Sequence, residues 1–134
     1  MLEQTEKLTG FDGFCCKIVA EQGFWKLTPA EKAATTNGAG AEGGIKVPDT
    51  MYGLDLNEVF RVHDWEYGIG KTKEEKDQAD RTMLNNLIRV INTAPGWLNK
   101  LLAPLRRRRA ITYYEAVYYL GGPAFWEGKN KPEE

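Results

Sequence analysis

The chain has a single histidine and only two cysteines, and the two are neighbours at Cys15 and Cys16. One histidine excludes a two-histidine metalloprotease helix, and with so few soft ligands a zinc tetrad cannot be assembled. Adjacent cysteines exclude a disulfide framework, because a bridge between neighbours is strained. They read as small buried hydrophobes in a reducing compartment, ahead of a Cys–His nucleophilic pair. An excess of charge is also missing. Lysine and arginine total 18 against 19 aspartates and glutamates, a formal net charge of −1, which removes the global electrostatic case for nucleic acid. No apolar run approaches bilayer-spanning length. Met1-Leu2-Glu3-Gln4-Thr5-Glu6-Lys7 also lacks a basic segment followed by an apolar one. These absences predict a soluble protein, cytoplasmic on synthesis, with no signal peptide and no transmembrane segment.

What is present organises the 134 residues as a single domain, 1–134, in which residues 1–35 stand apart as an N-terminal segment. Turn chemistry concentrates before residue 54, in Thr28-Pro29, the glycine-rich run 37–44 and Val47-Pro48-Asp49, with short helices expected over 11–24 and 29–34. Asp55-Leu56-Asn57-Glu58 is a capping-box pattern, and Leu56, Val59, Phe60, His63 and Tyr67 follow at helical spacing, so a helix is expected over 55–68. Thr72-Lys73-Glu74-Glu75 opens a second helix whose apolar face holds Ala79, Met83, Leu84, Leu87, Ile88 and Ile91. A short turn joins the two, which predicts antiparallel neighbours. Pro95-Gly96 ends the second helix. A short helix over 97–102 and another over 104–120, stopped by Gly121-Gly122-Pro123, complete a mainly α fold.

His63 lies on the core-facing stripe of the first helix, together with Tyr67. Asp80 precedes Met83, Leu84 and Leu87 on the second helix, so its carboxylate projects into the same interface. Buried aspartate needs donors, and His63 and Tyr67 are the obvious ones. A buried polar pair that fixes helix register and a catalytic pair fit this pattern equally well. Asp64 favours the second, because its carboxylate lies beside the imidazole where it could hold a hard cation. Glycines permit the backbone angles that turn carbonyls toward one ion, which makes Gly38 and Gly40 attractive as a calcium loop, against the plain alternative of a flexible connector. Arg106-Arg107-Arg108-Arg109 wraps most of the way round a helix. It reads first as a solvated face, then as a dock for anionic lipid head groups with Trp25, Trp97 and Trp126, and least as a nucleic-acid contact.

His63, Asp64 and Tyr67 match the His-Asp-x-x-Tyr helix of the phospholipases A2, and Asp80-Arg81 matches the aspartate-arginine of that family's second helix. Gly38-Ala39-Gly40 is similar to the Gly-Pro-Gly calcium loop of the disulfide-free lipase domains of parvovirus capsids. The stretch from Val47 to Asp55 and the ending Gly121-Gly122-Pro123-Ala124-Phe125-Trp126 resemble phage and bacterial proteins carrying a phospholipase A2-like domain. The likeness covers residues 36 to about 90. Val59-Phe60 stand where secreted members have disulfide cysteines, so packing alone must hold these helices.

The resemblance implies calcium-dependent hydrolysis of the sn-2 ester of glycerophospholipids, with a phospholipid membrane surface as substrate. It implies that His63 is the general base for a water, that Asp80 orients its ring and that Tyr67 donates to Asp80. It further implies that Asp64 binds Ca2+ with the carbonyls of Thr36, Gly38 and Gly40, and that a further tyrosine, Tyr113, Tyr114 or Tyr118, supports Asp80. One carboxylate with neutral carbonyls predicts weak affinity, of order 10⁻⁴ to 10⁻³ M, hence idleness in the cytosol and action after release or in a virion. The alternative is a catalytically silent phospholipase A2-like module, a structural or lipid-binding part of a phage particle or secretion system.

Overall fold

Helices dominate, as the 3.6-residue periodicity predicts, but the chain begins with a hairpin. The computed structural model describes residues 1–11, 13–36 and 50–129. Strands β1 (Gln4–Phe11) and β2 (Phe14–Glu21) precede a 3-10 turn at Phe24–Lys26 and helix α1 (Pro29–Thr36). A minimal hairpin of β3 (Thr50–Met51) and β4 (Leu54–Asp55) leads into α2 (Asn57–Ile69), α3 (Lys73–Thr93), α4 (Trp97–Leu120) and α5 (Gly122–Trp126). No helix among the described residues is long and apolar enough to cross a membrane.

The helix expected over 11–24 is instead the turn and second strand of an antiparallel pair, with Phe11 opposite Phe14. Gly13, at φ 81°, takes the left-handed backbone that a tight connection between paired strands favours and a helix does not. Along β2 the side chains alternate, and Cys16, Ile18 and Ala20 enter the core. The same alternation separates the two cysteines. Cys16 is buried as expected, while Cys15 is exposed on the outward face.

A polar row on α3 receives this N-terminal segment. Asn86 accepts from Val19 N at 2.9 Å and donates to Val19 O at 2.7 Å, so one side-chain amide closes the strand edge as another strand would. Gln78 treats Leu2 in the same way, at 3.0 Å to both backbone groups, and Thr82 accepts from Gln4 Nε2 at 2.7 Å. Residues 78, 82 and 86 repeat every four positions and share a face.

The second helix start is capped: Thr72 Oγ1 accepts from Glu75 N at 3.1 Å, and Glu75 Oε1 accepts from Lys71 N, one residue before the cap, at 2.8 Å. The first capping box does not form. Asp55 belongs to β4 and its Oδ1 accepts from Asn57 N at 2.9 Å, an Asx-type turn that delays the helix start to Asn57. Met83, Leu87 and Ile91 of α3 share one core with Leu56, Val59, Phe60 and Val62, Ala79 is also buried, and Leu84 and Ile88 pack at the margin. The three-residue link 70–72 folds α3 back along α2, and Tyr67 and His63 both meet Asp80 across the seam.

Pro104 does not divide the C-terminal segment into two helices, and α4 runs through it. Proline removes one helical donor, but Ala103, Arg106 and Ala110 on either side of it are all buried, so packing carries the helix past the defect. Arg106 is no part of a solvated face. It is 2% exposed, and it donates to Met51 O at 3.1 Å, Tyr52 O at 2.6 Å and Asn99 Oδ1 at 2.7 Å. These bonds hold the β3–β4 turn, where Tyr52 and Gly53 lie at φ 50° and 83°, the left-handed pair that a two-residue hairpin requires. Arg109 stacks over the Tyr52 ring at 5.5 Å.

Glu66, on α2, is completely buried and ties this helix to β2. Its Oε2 accepts from Glu21 N at 2.8 Å and from Gln4 Nε2 at 3.4 Å, while Oε1 is buried without a hydrogen-bond partner. Burial pushes its carboxyl up to about 7, against the pull of those two donors and with the Glu21 charge adding to the rise. The fold therefore favours the protonated acid. Its contribution is intact below the ordinary carboxyl value of 4.5 and disappears as pH rises through about 7. Native stability should fall by as much as about 3 kcal/mol from this group between about pH 5 and about pH 8, and Glu66→Gln should flatten the slope in urea unfolding. An unchanged slope in the variant would assign the pH dependence to other groups.

Candidate active site

Asp80 is 0% exposed, and three donors converge on it. His63 Nε2 lies 2.8 Å from Oδ1, Tyr67 Oη donates to the same oxygen at 2.6 Å, and Lys76 Nζ donates to Oδ2 at 2.7 Å. Helical spacing explains the convergence. His63 and Tyr67 are one turn apart on α2, and Lys76 and Asp80 are one turn apart on α3. Burial by itself would raise the Asp80 carboxyl, but the hydrogen bond and charge of His63, with the bonds from Lys76 and Tyr67, outweigh it and hold the group below the usual carboxylate range. Asp80 is thus an anion in the interior.

Tyr67 is fixed in the opposite state. Burial, then the Asp80 charge and the hydrogen bond to it, drive its hydroxyl well above the ordinary phenol value, so it remains a donor. Its ring sits 4.1 Å from that of His63 and edge-on to Phe125 at 5.2 Å. Gly121 closes this corner. A Cβ there would come within 2.8 Å of Tyr67 Oη and 2.4 Å of Val117 O, so only glycine lets the end of α4 approach so closely. Lys129 donates to Tyr67 O and lies over the Phe125 ring at 3.9 Å.

Lys76 was not among the residues singled out from sequence, where a lysine in the first turns of a helix reads as solvated. It is 5% exposed, and besides Asp80 it donates to Val117 O and Tyr118 O, both at 3.1 Å. It therefore caps the last carbonyls of α4 while neutralising Asp80. The available signal was its position four residues before Asp80 on the apolar stripe of Ala79, Met83 and Leu87. Of the three tyrosines considered as a further support for Asp80, none contacts it by a hydrogen bond; Lys76 fills that position.

His63 is 7% exposed. With Nε2 committed to Asp80, Nδ1 is the ring nitrogen left for a water or substrate. Asp64, the next residue, is half-buried, and its charge contributes to the raised Tyr67 hydroxyl, which places the carboxylate in the electrostatic reach of the same cluster. Thr36 is the last residue of α1. Gly38 and Gly40 lie outside the described residues. Among the described residues no group of three or more His, Cys, Asp and Glu side chains gathers as a metal centre, so a cation at Asp64 would depend on carbonyl oxygens. Such a donor set fits calcium chemically: Asp64 supplies a carboxylate, and the carbonyl of Thr36 ends a helix, where carbonyls have no intrahelical partner.

No protein-family model, curated protein or solved structure matches the chain. The chemistry of the site accordingly rests on its geometry.

Removing Lys76 would leave the buried Asp80 without its lysine cation and take a donor from the Val117 and Tyr118 carbonyls. Lys76→Met is expected to cost about 3–5 kcal/mol in urea unfolding, and Tyr67→Phe only about 1–2, because His63 still serves the shared oxygen. Equal costs for the two substitutions would mean that Lys76 does not hold the carboxylate.

Proposed function

We propose that the chain is a calcium-dependent hydrolase of phospholipase A2 type, which cleaves the sn-2 ester of glycerophospholipids with a water activated by His63. The observation that carries this reading is the bond from His63 Nε2 to an ionised, fully buried Asp80. It leaves Nδ1 as the basic nitrogen and stabilises the imidazolium that forms when a proton arrives. Tyr67 donates to the same oxygen and Lys76 to the other, which holds the carboxylate against the ring.

In this mechanism water adds to the ester carbonyl as its proton passes to His63 Nδ1. Return of that proton to the glycerol oxygen breaks the ester bond and releases a fatty acid and a lysophospholipid. No covalent intermediate on the protein is needed. Calcium, held by Asp64 with the carbonyls of Thr36, Gly38 and Gly40, would supply positive charge beside the ester oxygen.

A second reading has an observation of its own. The His63–Asp80–Lys76 network ties α2, α3 and the end of α4 together, as a silent structural or lipid-binding module of a phage particle or secretion system would also require. Fatty-acid release separates the two. Phospholipid vesicles with millimolar calcium should be hydrolysed, a chelator should stop the reaction, and His63→Ala should slow it by about 10²- to 10⁴-fold. Asp64→Asn should raise the calcium concentration needed. Identical release from the native chain, the chelated sample and the His63 variant would leave the silent module as the function.

A further inference from the structure

The first half of α4 exposes the apolar surface that an ordinary core helix hides. Trp97 is 77% exposed, Leu98 53%, Leu101 66% and Leu105 49%. Trp97, Leu101, Leu105 and Arg108 follow one another at intervals of four, four and three residues, so they form one stripe, and exposed Thr112 and Glu115 separate it from Tyr119, 74% exposed, on the same line. Exposed Lys100, Arg108 and Arg109 flank or interrupt the stripe, and Glu115 is the single acidic residue of α4.

We propose that this face of α4 docks the protein on a membrane surface bearing anionic phospholipid. The helix would lie in the plane of the interface, with Trp97, Leu101 and Leu105 in the acyl boundary and Lys100 and Arg108 on the head groups. Charge decides among possible occupants. A second copy packed on the same stripe would bring two cationic faces together, with Lys100, Arg108 and Arg109 on each against a single Glu115. Nucleic acid would answer the cations but leave the tryptophan and leucines in water. A lipid surface satisfies both sets at once.

This extends the lipid-hydrolase reading and supplies it with an approach to substrate, since the last turn of the same helix contacts the Asp80 network through Lys76. Its test requires no catalysis. The His63→Ala chain is sedimented with vesicles of phosphatidylcholine alone and of phosphatidylcholine mixed with phosphatidylglycerol. Binding should be at least about tenfold tighter to the anionic vesicles and should weaken with added salt. Adding Leu101→Glu with Leu105→Glu should abolish it. Should that variant lose its fold by circular dichroism, Lys100→Glu with Arg108→Glu tests the same face from exposed positions and should remove the anionic preference.

Equal binding to both vesicle types, or undiminished binding by a folded charge-reversal variant, overturns the proposal. So does a solution dimer that the leucine substitutions dissociate, or tighter binding to a DNA oligomer than to anionic vesicles. Failure of hydrolysis in the native chain leaves the binding result standing. Conversely, a dispersed short-chain ester should still be cleaved by the Leu101→Glu, Leu105→Glu chain that retains His63.

Discussion

A carboxylate taken wholly out of water constrains most of this structure. Asp80 can remain ionised in the interior only while donors from other positions stay within hydrogen-bond reach. Those donors fix the register of α2 on α3 through His63 and Tyr67, and they bring the end of α4 onto α3 through Lys76. Gly121 then becomes necessary, because the helix end that Lys76 holds comes so close to Tyr67 Oη that a Cβ would collide with it. The hydrophobic effect supplies the larger share of stability, but it is not directional. Apolar packing alone would permit α2 and α3 to slide, whereas two short bonds from His63 and Tyr67 to one residue do not.

Glu66 shows what the same burial does without that supply of charge. It lies on α2 three residues after His63 and faces the N-terminal hairpin, where its partners are a backbone amide and a side-chain amide. Neither carries a charge. Its carboxyl is accordingly pushed up to about 7, while that of Asp80, beside Lys76 and His63, is held down. Two acids with similar exposure thus shift in opposite directions, and the difference comes from whether a cation shares the site. The anion stands where an imidazole must be oriented, and the acid with the raised value stands where the hairpin meets the helices.

The parts of the fold that were legible in the sequence are those where one physical signal dominates. The pairing of His63 with Asp80 and Tyr67 could be read because all three interrupt apolar stripes of the correct period, and two elements were long enough to show that period. The hairpin was not read, although Asp12-Gly13 is a strong turn signal, because Phe11 to Phe24 mixes apolar and polar residues in a way that suits weak helical spacing as well as alternation. The deeper difficulty lies with polar residues that do structural work. Gln78, Thr82 and Asn86 look like the solvated side of α3, yet they receive Leu2, Gln4 and Val19. Lys76 and Arg106 look like surface cations, yet each serves backbone carbonyls from a distant segment. Periodicity measures hydrophobicity, and it cannot tell a side chain hydrated by water from one hydrated by backbone.

That substitution of side-chain amides and cations for water also determines which faces remain available. The hairpin covers the Gln78–Asn86 side of α3, α2 covers the Asp80 side, and α4 joins the same core through Ala103, Ala110 and Val117. α3 is consequently surrounded, with a site on its surface that only its neighbours' gaps can open. α4 is different, because among the described residues the stripe from Trp97 to Leu105 stays exposed. A buried central helix that holds the charged network, and an outer helix that presents its apolar stripe to the surroundings, divide two tasks between adjacent elements. The network resists movement, since shifting either helix would strand Asp80. The outer face can meet a partner without disturbing it, because Lys76 contacts α4 through main-chain carbonyls and the exposed side chains take no part in that contact.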